Sequence, residues 1–183
     1  ASIVKDPKKL SSIIKAGWHY GNFTNAEQKS FYKQFRKYLT VADHVKKIDN
    51  HLWEKEIAAA KNSLQYVNAG YKQSFKAQIS LLEKQKNARH LFKRVPKKYY
   101  TSGLIYRYFW SRKKDLPSGS EIVGLSRIAS VDTLRGNRFW EVQAYLAREY
   151  IEKRKYREAY KATSSHFSSS AASKSDAEYL AGW

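Results

Sequence analysis

Carboxylates and histidines are the residues of this sequence that could carry catalysis, and their spacing favours none of the usual reactions. Glycoside cleavage needs a carboxylic acid with a raised pKa beside the sugar, usually with a second carboxylate. Glu54 and Glu56 lie in a lysine-containing helix step that we expect to be solvated. Asp176 and Glu178 lie near a helix start, where acids favour the helix dipole. We therefore predict no catalytic residue in this chain.

Two histidines, His44 and His51, lie seven positions apart and so share one helix face. That spacing separates them by about 10.5 Å along the axis, whereas zinc holds its nitrogen ligands at about 2.0–2.1 Å. We predict no metal site, and we assign His44 to a hydrogen-bond network with Asp43 at a helix start. The sequence has no cysteine and no glycine-rich phosphate loop, so it predicts no thiol chemistry and no nucleotide cofactor.

Positive charge is the strongest chemical signal in the chain. Lysine and arginine number 35 against 16 acids, a formal net charge of +19. Solubility favours a charge of only about 2–8 in a small domain, so the excess favours an acidic or polyanionic partner. Between Lys84 and Lys114 the sequence has no acid, and basic residues alternate with aromatic ones.

This acid-free segment, residues 84–114, is the candidate binding surface. Sugar rings stack on tryptophan and tyrosine, and basic groups pair with carboxylates. The alternative is a solvated basic face over an aromatic core. We expect Arg112, Lys113 and Lys114 to be exposed. The candidate residues for a glycan or another polyanion are Lys93, Arg94, Lys97, Lys98, Arg107, Trp110, Arg112, Lys113 and Lys114.

Apolar residues recur every three or four positions along most of the chain, and no sustained two-residue alternation occurs. This period is typical of helices, so we predict an all-α fold. Trp53, Trp140 and Trp183 lie beside apolar positions, and we predict that each packs in the core. The apolar stripes contain Val45, Ile48 and Leu52; Ile57, Ala60, Leu64 and Val67; Phe75, Ile79 and Leu82; Tyr100, Leu104 and Tyr108; and Phe139, Val142, Leu146 and Tyr150.

Short breaks separate the stripes. We predict that Gly70 ends a helix as the residue after its C-cap, that Pro96 stops another, and that Ser118 caps the start of a third, with Glu121 at the spacing of a capping box. The serine-rich residues 164–175 are predicted to form a loop.

The segments 52–64 and 150–162 are similar to each other, because each ends one helix in a charged step and restarts at once. Such helix–turn–helix units are typical of α-solenoids. We therefore predict that residues 1–183 form a single helical domain. Its architecture would be an α-solenoid or superhelix of antiparallel helix pairs, similar to tetratricopeptide repeats.

Two stretches resemble the helical domain of the soluble lytic transglycosylases, particularly alphaproteobacterial ones. Residues 41–64 contain an Asp-His pair, an Asp, a Leu-Trp and an alanine-rich helix in that family's order. Residues 139–167 and 175–183 contain an aromatic-led helix, a Tyr-x-x-Ala-Tyr helix and a Leu-Ala-Gly-Trp ending. The resemblance covers most of the chain from about residue 30 onward. The matching positions in the first stretch are Asp43, His44, Asp49, Leu52, Trp53 and Ala58 to Ala60.

The resemblance implies a periplasmic enzyme that cleaves peptidoglycan, with a lysozyme-like catalytic domain C-terminal to a helical superhelix. That domain's Glu-Ser and Gly-Leu-Met-Gln-like motifs do not occur in this sequence. We therefore expect a non-catalytic fragment whose partners are peptidoglycan and its own catalytic domain. The alternatives are a nucleic-acid-binding helical domain and a repeat scaffold for an acidic protein. No apolar run approaches the roughly 20 residues that span a bilayer.

Overall fold

A computed structural model of the protein describes residues 6–129, 133–164 and 171–182, without the side chains of residues 133 and 134. These residues form helices joined by short turns and contain no strand, so the all-α prediction is confirmed. None of the helices is long and apolar enough to cross a membrane. The helices in chain order are α1 (Pro7–Tyr20), α2 (Asn25–Phe35), α3 (Val41–Trp53), α4 (Ile57–Ser63), α5 (Ala69–Leu82), α6 (Ala88–Arg94), α7 (Ser102–Ser111), α8 (Gly119–Ile128), α9 (Thr133–Glu152), α10 (Tyr156–Thr163) and α11 (Ala171–Ala181).

Polar side chains cap the starts of several helices. At α3, the Thr40 hydroxyl accepts a hydrogen bond from the backbone N–H of Asp43, and the Asp43 carboxylate accepts one from the Thr40 N–H at 2.8 Å. Ser118 caps α8 as predicted, since its hydroxyl accepts from the N–H of Glu121 at 3.1 Å. The Glu121 side chain does not complete a capping box, because it accepts a hydrogen bond from the Tyr108 hydroxyl at 2.6 Å. A side chain is thus available to join α7 to α8.

The prediction for Gly70 is wrong, because this residue lies in the first turn of α5 rather than after a helix end. Asn68 decides the boundary, since its side chain accepts a hydrogen bond from the N–H of Tyr71 at 3.1 Å and so caps the start of α5. Glycine is needed for a different reason: a Cβ at position 70 would collide with the ring of Tyr99. The loop predicted at residues 164–175 is also partly wrong, because α11 begins at Ala171.

Three turns between helices share one backbone conformation, with a basic residue in the left-handed region. These residues are Lys55, Lys84 and Arg154, with φ values of 63°, 54° and 56°. In each turn this residue's N–H bonds the carbonyl three positions earlier, and the next N–H bonds the carbonyl five positions earlier. This is a Schellman motif, which satisfies the last carbonyls of a helix. The turns of the α3–α4, α5–α6 and α9–α10 pairs are therefore equivalent in backbone conformation, which extends the similarity predicted for residues 52–64 and 150–162.

Buried apolar residues form two clusters. The smaller joins α3, α4 and α5 and contains Ile48, Leu52, Phe75 and Ile79. The larger joins Trp53, at the end of α3, to residues of α5 through α11, among them Trp140. Both tryptophans are buried, which confirms their predicted place in the core, while Trp183 lies outside the described residues. Twelve of the seventeen stripe residues are buried in these clusters and the other five pack against them, so every stripe faces the core, although other residues supply more than half of its buried side chains.

A buried polar network ties α3 to α5 and α9. The Asp49 carboxylate accepts hydrogen bonds from Trp53 Nε1 at 3.0 Å, from Arg135 at 2.9 Å and from Gln78 at 3.5 Å. Gly103 of α7 packs directly against this network, since a Cβ there would meet Gln78. Burial strengthens such paired bonds and makes any unpaired member costly. Asp49 therefore fixes the relative positions of the helices that carry the basic groove described next.

Candidate polyanion-binding groove

An open groove of about 780 Å³ lies between helix α7 and the turns that follow α3 and α5. Leu81, Leu82, Ala88 and Trp110 give it apolar surface. Among the described residues that line it, none is acidic. Its basic lining residues are Lys55, Lys84, Lys86, Arg89, Arg107, Lys113 and Lys114, and we call this feature the basic groove. Basic residues concentrated in a concave surface focus a positive potential that attracts anions.

The Schellman turns explain how two of these lysines reach the groove. Lys55 and Lys84 are the left-handed residues of the α3–α4 and α5–α6 turns, and both side chains are exposed. A glycine is the usual residue in this conformation because a Cβ is unfavourable there. Lysine occupies the position at a conformational cost in both turns. A cation at the C-terminus of a helix is favourable to the helix dipole, and Arg154 occupies the equivalent position outside the groove, so the charge suits the turn as well as the groove.

Hydrogen bonds fix the position of Arg89 in the groove, and contacts with aromatic rings fix that of Lys113. Arg89 donates to the Ser111 carbonyl and to the Asp115 carboxylate, the latter at 2.8 Å. The Lys113 ammonium lies 3.9 Å from the ring centroid of Trp110 and 4.0 Å from that of Tyr145. Such cation–π contacts are worth about 0.5–1 kcal/mol at exposed sites. Lys113 thus covers the aromatic surface that Trp110 offers in the groove.

The nine candidate residues predicted from sequence fall into three places. Arg107, Trp110, Lys113 and Lys114 line the basic groove. Arg112 does not line the groove and forms ion pairs with Asp115 and Glu121. The remaining four are exposed at the end of α6 and in the turn after it, outside the groove, and they are Lys93, Arg94, Lys97 and Lys98.

The expectation that Arg112 is exposed is wrong, because its side chain is only 14% exposed. Its guanidinium donates to the Tyr108 hydroxyl at 2.6 Å and to the Asp115 carbonyl at 2.6 Å, and it lies 3.5 Å from Glu121. Asp115 and Glu121 lie beyond the acid-free segment, whereas Tyr108 lies within it. Arg112 therefore joins α7 to the start of α8, and its replacement would disturb the fold rather than the groove alone. Of its two neighbours, Lys114 is exposed as expected, and Lys113 is half-buried.

The candidate set did not include four residues of the groove: Lys55, Lys84, Lys86 and Arg89. Three of them lie in the acid-free segment, and Lys55 lies well before it. A signal for Lys55 exists in the sequence, because a Glu-Lys step follows the apolar end of α3 and recurs after α5 as Glu83-Lys84. The repeated Glu-Lys step indicates that the two turns have the same conformation, and therefore that Lys55 and Lys84 occupy the same position in them.

The acids considered for catalysis have ordinary structural surroundings. Glu56 lies 2.6 Å from His51, and Asp176 lies 3.0 Å from Arg148 at the surface. Glu54 is exposed and lies 3.4 Å from Arg138. No group of three potential metal-binding side chains occurs in the described ranges of the chain. Glu54 shares one cleft with Glu141, but Lys55, Arg107 and Arg138 line the same cleft, and none of the contacts above pairs two carboxylates.

The predicted hydrogen bonding between His44 and Asp43 is wrong, because another histidine contacts the Asp43 carboxylate. His19 Nε2 lies 2.9 Å from Asp43. Burial raises the pKa of Asp43, but hydrogen bonds from Thr40 and His19 outweigh it, and the net pKa is below its ordinary value. His44 instead packs its ring against Trp18 and two tyrosines, and burial lowers its pKa.

Comparisons of the whole chain with protein-family models, with curated proteins and with solved structures found no match.

Proposed function

We propose that this chain is the non-catalytic helical scaffold of a soluble lytic transglycosylase, and that it binds peptidoglycan in the basic groove. The observation that supports binding is the set of seven basic residues around one acid-free concave surface. Peptidoglycan carries carboxylates on its peptide stems, which pair with such groups, and sugar rings, which could stack on Trp110 once Lys113 moves off that ring. The peptidoglycan assignment itself rests on the sequence resemblance.

In this proposal the helix pairs with equivalent turns stack as an α-solenoid in the periplasm. Each pair presents one face to its neighbours, so the basic groove forms where two successive turns, at Lys55 and Lys84, lie side by side. The scaffold holds a strand of the cell wall and positions it for an attached lysozyme-like domain. The scaffold contributes binding and orientation, and the attached domain contributes the acid that cleaves the glycan.

Replacing Lys55 and Lys84 by glycine is expected to weaken binding to purified sacculi roughly tenfold, because each exposed ion pair contributes about 0.2–1 kcal/mol. Glycine is preferred at both φ values, so the Lys55→Gly/Lys84→Gly variant should unfold at the same or a higher temperature than the parent. Sedimentation of sacculi with increasing protein gives the affinity, and circular dichroism gives the melting temperature.

The matched control is Arg154→Gly/Lys93→Gln, which removes two charges outside the groove, one of them at the equivalent turn position. Its net charge equals that of the groove variant, so a nonspecific charge effect would weaken both proteins equally. Equal losses in the two variants, or no loss in the groove variant, would show that the basic groove is not the binding site.

A further inference from the structure

Arg107 differs from the other arginines around the groove. No carboxylate of the described residues lies within 4.0 Å of its guanidinium, although Asp49 and Glu54 act on it at longer range. The arginines that do have an acid partner within this distance are Arg89, Arg112, Arg135, Arg138 and Arg148. Arg107 is therefore a cation without a close counter-ion in a region where neighbouring arginines are paired.

The hydrogen bonds of Arg107 are also incomplete. One terminal nitrogen donates to the Leu52 carbonyl at 3.2 Å, and the buried Nε has no partner. The guanidinium lies 5.0 Å from the ring centroid of Tyr106 and 5.9 Å from that of Trp53. Burial lowers the pKa of Arg107. Because Nε is sealed from solvent, a ligand in the groove could reach only the terminal nitrogens, and a half-buried guanidinium without a close counter-ion suits an anionic partner there.

The position of Arg107 gives a ligand access to it. Its side chain lines the basic groove and also a second cleft of about 410 Å³ between α3, α7 and α9. Lys55 borders both clefts as well, so the two clefts are adjacent and these two side chains lie between them. Glu54 and Glu141 line only the second cleft. An anion in the basic groove would therefore approach Arg107 from its acid-free side.

We propose that Arg107 recognises a carboxylate of the bound polymer and so determines the specificity of the basic groove. This inference rests on the proposed function, because it names the chemical group that the groove selects. Guanidinium matches a carboxylate with two parallel hydrogen bonds, whereas an ammonium binds it as a point charge. The surrounding lysines attract the polymer, and Arg107 orients one of its carboxylates.

The test compares Arg107→Lys with the parent on two forms of the same polymer. Untreated sacculi retain their stem carboxylates, and a second batch has these carboxyls converted to methylamides. Because Arg107→Lys keeps the charge and loses the paired geometry, it should bind untreated sacculi roughly tenfold more weakly than the parent. On amidated sacculi the two proteins should bind with equal affinity. The comparison forms a double-mutant cycle between the arginine and the carboxylate.

The outcomes separate this inference from the function on which it rests. If Arg107→Lys binds untreated sacculi as tightly as the parent, or loses the same factor on both batches, Arg107 does not recognise a carboxylate. The proposed function survives that result as long as Lys55→Gly/Lys84→Gly still binds more weakly than its control. Melting temperatures check folding, and the parent alone provides an independent measure: unchanged binding after amidation would overturn the inference without any variant.

Discussion

Replacing Trp53 by alanine is expected to lower the free energy of unfolding by about 3–5 kcal/mol, the usual cost of removing a buried aromatic side chain. Trp53 is 3% exposed, and its ring packs against Tyr106 with centroids 4.7 Å apart. Its Nε1 donates to Asp49, so the substitution also removes one donor from a buried carboxylate. Urea denaturation followed by circular dichroism measures the change.

The control is Trp53→Phe, which keeps much of the ring volume and removes the bond to Asp49. We expect it to cost about 1–3 kcal/mol, the penalty for leaving a buried polar group with fewer partners. The two variants therefore separate packing from hydrogen bonding. An unchanged denaturation midpoint in Trp53→Ala would contradict the buried position of this side chain.

Stability is expected to rise by about 2 kcal/mol between pH 7 and pH 9.5 because of one buried lysine. Lys47 is 0% exposed, and burial lowers its pKa from 10.5 to about 8, with Glu56 partly opposing the shift. Its ammonium donates to the Trp18 carbonyl at 3.1 Å and lies 4.7 Å from the ring centroid of Phe23. No acid forms an ion pair with it among the described residues.

The direction follows from proton binding. Between pH 8 and pH 10.5 the folded protein has lost the Lys47 proton, while the unfolded chain still holds it, so raising the pH favours folding. Tyr108 and Tyr150, whose pKa burial raises to about 12, oppose this effect only above about pH 10. Chemical denaturation at several pH values should show the rise in the parent and not in Lys47→Met. Parallel curves for the two proteins would contradict the assignment to Lys47.

Local patterns predicted the helices because the hydrophobic period reports which face is buried. The stripe of Ile48 and Leu52 and the cap at Ser118 are of this kind, since each depends on residues within about one or two helical turns. Gly70 shows the limit of such reasoning. Its sequence neighbours fit a helix end, but the cap at Asn68 and the ring of Tyr99 determine its role.

The candidate site was predicted only in part, because the groove joins residues that are distant in the sequence. Charge density indicated Arg107 and Lys114, and it also indicated Lys93 and Lys97, which face elsewhere. A count of charges also cannot distinguish Arg112, which pairs with acids beyond the segment, from Arg107, which has no close acid. That distinction depends on how the C-terminal end of α7 packs against the start of α8.

The salt dependence of binding to two polyanions tests the central proposal most directly. We expect the parent to bind sacculi more tightly than duplex DNA at physiological salt, with affinity that falls as salt screens the exposed charges over about 8 Å. Stacking on the groove's aromatic surface should leave residual affinity for sacculi at high salt. Binding to DNA should decline with the steep log-linear slope of counterion release. Tighter binding to DNA than to sacculi at physiological salt would contradict the proposal and favour a nucleic-acid-binding domain.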